Sequence, residues 1–277
     1  MPDAPTPLAE PLRVVVLGAS ASVETSYHGG PRTDLAYPRV IEAELRAAGH
    51  PATVRVCALP ADRARHGRLR WEREVNPWAP DVVIVHYGQA DSVHLFLPRW
   101  LERHANSPRR RPGAIRERYR RFLLRPVWVY LARLQARLDA RFDATKETRR
   151  QRRVTAEVAR LIERVRSTSP ALVLVPTLLR PGPPWQRWFP GVGARMATLN
   201  EMFGDVVEGV DDPDVRVFPL AELVEHLVTE GEEPTPDGGH FTPLVHRAIG
   251  EAMADVIVEW RVRERASEVT RNTIPLS

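Results

Sequence analysis

The sequence contains a single cysteine, Cys57, among its 277 residues. One cysteine excludes an internal disulfide and any metal site built from several cysteines. Because Cys57 lies within an apolar run, we interpret it as a small core residue rather than a reactive thiol. Apolar runs are short throughout the sequence, and none approaches the roughly 20 residues that cross a bilayer.

The two ends of the chain lack the patterns of folded or targeting segments. Residues 1–11 are rich in proline and carry acidic side chains where a signal peptide carries a basic and then an apolar segment. We therefore expect a cytoplasmic protein with a disordered segment at 1–11, one domain over 12–263 and a loose tail at 264–277. A Gly-x-Gly-x-x-Gly fingerprint is also missing after the first apolar run, which disfavours dinucleotide binding.

Positive charge is concentrated in one stretch of the chain. The net charge is +5, yet residues 98–153 contain 18 Lys and Arg against 5 Asp and Glu. This stretch interrupts the regular pattern of the chain, and we expect it to form a basic helical insertion at about residues 95–152. Nucleic-acid binding is disfavoured because the basic residues are confined to one segment and match no RNA- or DNA-binding motif.

Beyond Pro126 the insertion contains an amphipathic basic helix. Its apolar residues recur at helical spacing, and arginines stand one position away from them. The stripe comprises Val127, Leu131, Leu134, Leu138 and Phe142, and the arginines are Arg133, Arg137 and Arg141. We interpret it as a helix packed on the domain with a solvated arginine face; the alternative is a patch that binds a membrane surface or an acidic partner.

Short apolar runs alternate with amphipathic helical patterns along the rest of the chain. The runs rich in β-branched residues lie at 14–17, 52–58, 81–87, 171–175 and 215–218. Strands separated by helices indicate βαβ units, hence an α/β fold with a parallel sheet covered on both faces. The last helix begins after Thr242, which can cap it, and Pro243, which suits its first turn.

Two polar sites follow this predicted sheet. Ser20 comes directly after the first strand, at the carboxyl edge where open α/β sheets bind ligands. Asp237 precedes His240 by three residues in a glycine-containing turn, so its carboxylate can fix the ring and leave the other nitrogen free as a base. Each site also has a structural interpretation: a tight strand-to-helix connection for Ser20 and helix capping for Asp237.

The order of the polar blocks resembles the SGNH, or GDSL-type, hydrolases. The blocks are Gly18-x-Ser20, Gly88-x-x-Asp91 and Asp237-x-x-His240, and the resemblance spans Arg13 to Trp260 apart from the insertion. It implies a three-layer α/β/α sandwich with a five-stranded parallel, flavodoxin-like sheet and a helical insertion after the third strand. It also implies serine-dependent hydrolysis of a small-molecule or glycan ester with no metal or other cofactor.

The resemblance assigns roles to individual residues. Ser20 corresponds to the nucleophile, His240 to the general base and then acid, and Asp237 to the residue that orients the ring. Ser22 is a spare hydroxyl two residues on, and we do not expect it to be the nucleophile. His86 is interpreted as a core or rim residue.

The expected oxyanion hole departs from the family pattern. The family uses a backbone N–H near its serine, a glycine N–H after the second strand and an asparagine side chain after the third strand. Here Ala61 stands at the glycine position, and Ala90 stands at the asparagine position with no side-chain donor. Gln89, a water or the insertion would have to replace that donor, while Asp91 is expected to hold loops together.

Two functions therefore remain open from the sequence. The first is a serine esterase or deacylase whose basic insertion forms a cap or docking surface. The alternative is a catalytically weak or inactive domain that binds a glycan or acyl ligand. Trp185 and Trp188, on a loop leaving the sheet edge, fit either a ligand pocket or a packed lid.

Overall fold

A computed structural model describes residues 10–24, 26–30, 35–93, 125–141, 149–228 and 232–273. Five strands in these residues form one sheet in the order β2-β1-β3-β4-β5, and every neighbouring pair is parallel. The strands are β1 (Leu12–Gly18), β2 (Ala52–Ala58), β3 (Val82–His86), β4 (Leu172–Pro176) and β5 (Val215–Phe218). The predicted α/β fold with a five-stranded parallel sheet is confirmed.

Helices connect the strands and cover both faces of the sheet. They are α1 (Tyr37–Ala47), α2 (Ala64–Arg70), α3 (Gln89–Ser92), α4 (Arg125–Arg141), α5 (Arg149–Thr168), α6 (Pro183–Trp188), α7 (Val192–Val210), α8 (Leu220–Leu227) and α9 (Pro243–Thr273). A short 3₁₀ turn, Ser20–Ser22, follows β1. Between β2 and β3, α2 is followed by a π-helical turn at Trp71–Val75 and a 3₁₀ turn at Asn76–Trp78.

Two hydrophobic cores lie on opposite faces of the sheet, as the two-residue period of a strand requires. Val14 and Val16 of β1 contact the core built with α1, α8 and α9. Val15 and Leu17 contact the core built with α5 and α7. All five residues of β3 are buried, so this strand is covered on both sides and the domain has three layers.

The structure describes little of the segment before the predicted domain, and it corrects the carboxyl end of that domain. The expected disordered segment at 1–11 falls mainly on residues 1–9, which lie outside the described residues. The loose tail predicted from residue 264 is wrong over most of its length, because α9 continues to Thr273. Residues 261–273 contain neither proline nor glycine, and nothing in this stretch stops the helix.

The insertion also differs from its prediction at its carboxyl end. Helix α5 begins at Arg149, inside the predicted insertion, and Gln151 is already buried and donates a hydrogen bond to the Arg195 carbonyl at 3.1 Å. Residues 149–152 therefore belong to the core helix. Of the earlier part, only α4 is described, and residues 94–124 and 142–148 lie outside the described residues.

Helix α4 packs on the domain with the predicted arginine face exposed, but its buried side chains are the polar Gln135 and Asp139, while Leu131 and Leu138 of the apolar stripe are only half-buried. Asp139 is 1% exposed and pairs with Arg195 of α7, which is 2% exposed, at 2.9 Å. Asp139 also accepts the Gly191 N–H at 2.8 Å, and Arg195 donates to the Ser92 carbonyl at 2.7 Å. An ion pair that is supported by further hydrogen bonds tolerates burial. Among the described helices, none is long and apolar enough to cross a membrane.

Candidate active site

The turn that carries Ser20 lies at the carboxyl edge of the sheet. Strand β1 ends at Gly18, whose neighbours in the register are Ala58 on β2 and His86 on β3. Ser20 opens the 3₁₀ turn and is half-buried, and its carbonyl accepts the N–H of Val23 at 3.0 Å. The loops that follow β2 and β3 therefore flank the predicted nucleophile.

The buried hydroxyl of Ser22 supports this turn. Ser22 is 1% exposed, and its Oγ shares a hydrogen bond with Tyr37 Oη at 2.9 Å. Tyr37 Oη lies 3.1 Å from Nδ1 of His86, at the end of β3. A Cβ at Gly18 would stand 2.3 Å from Ser22 Oγ, so only glycine lets this side chain fold under the strand end. Ser22 is thus buried and already hydrogen-bonded, which leaves Ser20 as the accessible hydroxyl.

Two buried histidines surround Tyr37. His246, in the first turn of α9, is 0% exposed, and its Nδ1 accepts the Tyr37 N–H at 3.2 Å. His86 stacks on Phe241, with ring centroids 6.1 Å apart, and Phe241 meets His246 edge-on at 5.4 Å. Burial lowers the pKa of His86 and that of His246 to about 4. Both rings are therefore neutral at pH 7, and His86 is a core residue, as the sequence predicted.

The buried histidines make the folded state sensitive to acid. A folded-state pKa near 4 means that each ring contributes its full stability above about pH 6.5 and loses it as the pH falls towards 4. We expect each ring to lower the free energy of unfolding by about 2 kcal/mol between pH 7 and pH 5. Urea denaturation across this range measures the loss. NMR titration in which the ring protons of His86 and His246 shift with a midpoint near pH 6.5 would contradict it.

Asp237 and His240 form a hydrogen-bonded pair at the start of the last helix. His240 Nδ1 lies 2.7 Å from Asp237 Oδ2, while Asp237 Oδ1 accepts the N–H groups of Gly239 at 3.0 Å and His240 at 2.8 Å. Thr242 and Pro243 stand at the helix start as predicted, and the Val245 N–H donates to Thr242 Oγ1 at 3.4 Å. The turn thus holds the imidazole with one nitrogen on the carboxylate.

The charges of this pair are set by its hydrogen bonds. Burial by itself would raise the pKa of Asp237, but the bonds from the His240 ring and from the N–H groups of His28, Gly239 and His240 hold that pKa well below its usual range. The bond to Asp237 raises the pKa of His240, and partial burial opposes this effect. An ionised carboxylate next to an imidazole is the arrangement that orients a general base.

Loops from two other strands are tied to the histidine turn. The His28 N–H, beyond β1, donates to Asp237 Oδ2 at 2.7 Å, and Gln89 Nε2, beyond β3, donates to the Gly239 carbonyl at 2.7 Å. The side-chain donor of Gln89 is therefore engaged with the protein. Within the described residues, the Ser20 hydroxyl and the His240 ring share an edge of the sheet without a hydrogen bond between them.

The remaining predicted site residues join the loops after β2 and β3. Ala61 has φ 58°, a left-handed conformation that favours glycine, as expected for a position the family fills with glycine. Gly88 also has positive φ, 121°, and Ala90 is half-exposed in the first turn of α3. Asp91 is buried, accepts the Ala64 N–H at 3.3 Å, and lies 4.0 Å from Arg63. Asp91 thus links the two loops, as the sequence suggested.

Trp185 of α6 covers the histidine turn. A Cβ at Gly238 would meet the Trp185 side chain at 2.1 Å, and one at Gly239 would meet it at 2.7 Å, so both glycines allow the indole to lie on the backbone. Trp188 lies on the same short helix and is exposed. The described residues contain no group of three His, Cys, Asp or Glu side chains placed to bind a metal ion.

Sequence reasoning missed several residues of this region. The Tyr37 hydroxyl and the ring of His246 follow no motif, and their roles depend on contacts between residues far apart in the chain. The His28 N–H has no sequence signal at all, because every residue except proline carries one.

The chain matches a model of a known protein family over most of its length. The model of the GDSL-like Lipase/Acylhydrolase family matches residues 16–248. A search of curated proteins found no match.

Solved structures with the same fold are distant in sequence. A lipase/acylhydrolase from Enterococcus faecalis is 15% identical, with a TM-score of 0.55, over 89% of this chain and 95% of that one. Est24, a carbohydrate acetylesterase from Sinorhizobium meliloti, is 13% identical, with a TM-score of 0.56, over 90% and 99%. Axe2, an acetylxylan esterase from Geobacillus stearothermophilus, is 13% identical, with a TM-score of 0.56, over 87% and 92%.

Proposed function

Because the chain belongs to the GDSL-like lipase/acylhydrolase family, we propose that it hydrolyses a carboxylic ester with Ser20 as nucleophile, His240 as general base and Asp237 as its orienting carboxylate. The observation that carries the proposal is the 2.7 Å hydrogen bond between Asp237 and the His240 ring, on the sheet edge where Ser20 opens the turn after β1. Catalytic hydrogen bonds are often long before substrate binds, so the missing Ser20–His240 bond is compatible with these roles.

In the proposed reaction the neutral His240 ring accepts the Ser20 proton while Oγ attacks the ester carbonyl. The tetrahedral intermediate collapses, the imidazolium returns the proton to the leaving alcohol, and an acyl-serine remains. A water molecule then attacks the acyl carbonyl while His240 accepts its proton, and the imidazolium passes this proton to Ser20 Oγ as the acyl–serine bond breaks and the acid is released. Asp237 stays ionised throughout, accepts a hydrogen bond from the Nδ1–H group of His240 and stabilises the imidazolium.

The oxyanion would be bound by two backbone donors. One is an N–H of the Ser20 turn, and the other is the N–H of Ala61, whose left-handed conformation matches a glycine position. Ala90 supplies no side-chain donor, and the Gln89 amide donates one of its two N–H groups to the Gly239 carbonyl. Two donors in place of three fit a slow hydrolase, since removing one donor typically costs about 10² to 10³ in rate.

The substrate we propose is an O-acyl or O-acetyl ester of a small alcohol or a glycan. Two of the structural neighbours are named for carbohydrate acetyl esters. In this chain Trp185 lies on the backbone beside His240, and an indole face suits both a sugar ring and an acyl chain. The preferred length of the acyl chain can be measured with a series of p-nitrophenyl esters.

A serine-directed phosphonate and a series of p-nitrophenyl esters from acetate to octanoate test the proposal. We expect the wild type to be labelled once and to prefer one chain length, and Ser20→Ala to lose both labelling and hydrolysis. Ser167→Ala, which changes an exposed serine on α5, is the matched control and should behave as the wild type. Full labelling of Ser20→Ala would refute the assignment of the nucleophile.

A second function, ligand binding without turnover, is favoured by one observation. Ala90 removes a donor from the site, while the hydrogen bonds that organise the Asp237 turn are intact. This function predicts that a glycan or acyl ligand binds equally well to the wild type and to His240→Ala, with no hydrolysis by either protein. Calorimetry with the intact ester, together with an assay of its hydrolysis by the wild type, distinguishes the two functions.

Tyr37→Phe tests the support of the nucleophile turn. The variant removes the hydroxyl that joins Ser22 to His86, and it leaves two buried polar groups without a partner. We expect kcat to fall about tenfold at nearly constant KM, and the free energy of unfolding to fall by about 1 to 3 kcal/mol. Ester kinetics and urea denaturation measure both effects.

Tyr87→Phe is the matched control for this substitution. Tyr87 is equally buried, but its hydroxyl has no hydrogen-bond partner in the described residues. Its removal should leave kcat unchanged and should not destabilise the protein. Equal behaviour of the two variants would show that Tyr37 does not position the turn.

A further inference from the structure

The side of α4 that faces away from the domain combines apolar and basic side chains. Val127 is 51% exposed, Tyr130 67% and Leu134 38%, at positions i, i+3 and i+7 of one helix face. Three exposed arginines adjoin them. We call this surface the α4 outer face, and its residues are Val127, Tyr130, Arg133, Leu134, Arg137 and Arg141.

The orientation of this face is fixed by buried polar contacts. Asp139 and Gln135 lie on the opposite side of α4, and both are buried. Asp139 binds Arg195 and the Gly191 N–H, so rotation of the helix towards its apolar stripe would leave a buried Arg195 without its carboxylate. Breaking such a pair is strongly unfavourable. These buried contacts therefore keep Val127, Tyr130 and Leu134 on the side of α4 that faces away from the core.

The charge on the outer face is of one sign. Asp139 is the only acidic residue in the sequence of Arg125–Arg141, and its carboxylate is buried in the ion pair with Arg195. Within the part of the chain that the structure describes, Arg133, Arg137 and Arg141 form no ion pair. Among the described residues, three cations thus lie next to three exposed apolar side chains with no carboxylate between them.

We propose that the α4 outer face docks the protein on a membrane surface rich in anionic lipid. Arginines bind lipid phosphates and carboxylates at the headgroup level, while Val127, Tyr130 and Leu134 insert at the boundary of the acyl chains. A nucleic acid would use the arginines but not the apolar stripe. A second copy of the chain would bring like charges together. The lipid surface is the occupant that uses both properties.

The position of α4 relates this surface to the candidate active site. Helix α4 packs against α6, and Trp185 of α6 lies on Gly238 and Gly239 beside His240. A protein docked through α4 would therefore hold this side of the domain towards the lipid. The docking itself is independent of hydrolysis, whereas the inference that membrane-borne esters reach Ser20 rests on the proposed function.

Vesicle co-sedimentation tests the docking with the full chain. We would use vesicles of phosphatidylcholine alone and vesicles in which about a third of the lipid is phosphatidylserine. The protein is expected to sediment with the anionic vesicles and not with the neutral ones. Binding should be lost at about 1 M salt, where the Debye length falls to about 3 Å. Ser20→Ala is measured in parallel, and we expect it to bind as the wild type does, so that failure of catalysis is separated from failure of docking.

Variants of the α4 outer face separate the contribution of the arginines to vesicle binding from the contribution of the apolar side chains. Replacing Arg133, Arg137 and Arg141 with Gln is expected to lower partitioning about 100-fold, because each arginine near an anionic surface contributes about fivefold. Val127→Ala with Leu134→Ala should lower it about tenfold at constant charge. The matched control replaces three other exposed arginines that form no ion pair within the described residues, Arg65, Arg73 and Arg153, with Gln and should bind nearly as the wild type does.

Several outcomes would overturn the proposal. These are equal binding to neutral and anionic vesicles, an equal loss in the control triple variant, or no sedimentation with either vesicle. A dimer that Val127→Ala with Leu134→Ala dissociates would assign the surface to a second copy of the chain. Salt-sensitive retention of an oligonucleotide without vesicle binding would assign it to nucleic acid. The wild-type comparison of the two vesicle types decides the question even if a variant fails to fold.

Discussion

His240→Ala is expected to lower kcat for the preferred p-nitrophenyl ester by about 10⁴ to 10⁶. Without the ring, no group at the sheet edge accepts the Ser20 proton or returns it to the leaving alcohol. Steady-state kinetics with active-site titration measure the loss, and circular dichroism checks the fold. His226→Ala, which removes an exposed histidine on α8, is the control and should retain full activity. A loss of less than tenfold in His240→Ala would exclude the general-base role.

The pH profile separates a catalytic His240 from a structural one. Asp237 raises the pKa of His240, and in the proposed mechanism the neutral ring is the base, so kcat/KM should fall as the pH drops through this raised pKa. Asp237→Asn should lower kcat about 10⁴-fold and move the acidic limb of the profile to lower pH. An unchanged limb in Asp237→Asn would show that another group controls the profile.

The fold could be predicted because its determinants are local. Each strand is a short run of β-branched residues, such as the three valines of β1, and each is bounded by turn residues. The side of α4 that packs on the domain could not be predicted in this way. It depends on an ion pair between Asp139 and Arg195, which are 56 residues apart and show no periodic signal.

The candidate site was predictable to the extent that it is local in sequence. Asp237 and His240 stand three residues apart, and their hydrogen bond closes a turn that the sequence itself suggests. The support beneath Ser20 joins Ser22, Tyr37 and His86 across three separate segments, and only the folded chain brings them together. The engagement of Gln89 with the Gly239 carbonyl also spans 150 residues.

Ala90→Asn is expected to raise kcat for ester hydrolysis, with a gain of about tenfold to 100-fold. Ala90 stands in the first turn of α3, at the position that we assign to the family's asparagine donor, and it is half-exposed, so the larger side chain has room. The added N–H would strengthen binding of the oxyanion in the transition state and not of the ester itself. KM should therefore change little while kcat rises.

Ala90→Gln is the matched control for this gain, because its amide carries the same donor on a chain one methylene longer. We expect Ala90→Gln to remain within about threefold of the wild type, since an oxyanion donor acts only at 2.7 to 3.1 Å from the developing charge. If Ala90→Asn gives no gain and the wild type stays inert towards every ester, the domain binds its ligand without turnover. If Ala90→Asn activates an otherwise weak enzyme, the triad and both backbone donors are already in place. The natural alanine at position 90 then limits the rate, and the chain is a hydrolase that lacks one oxyanion donor.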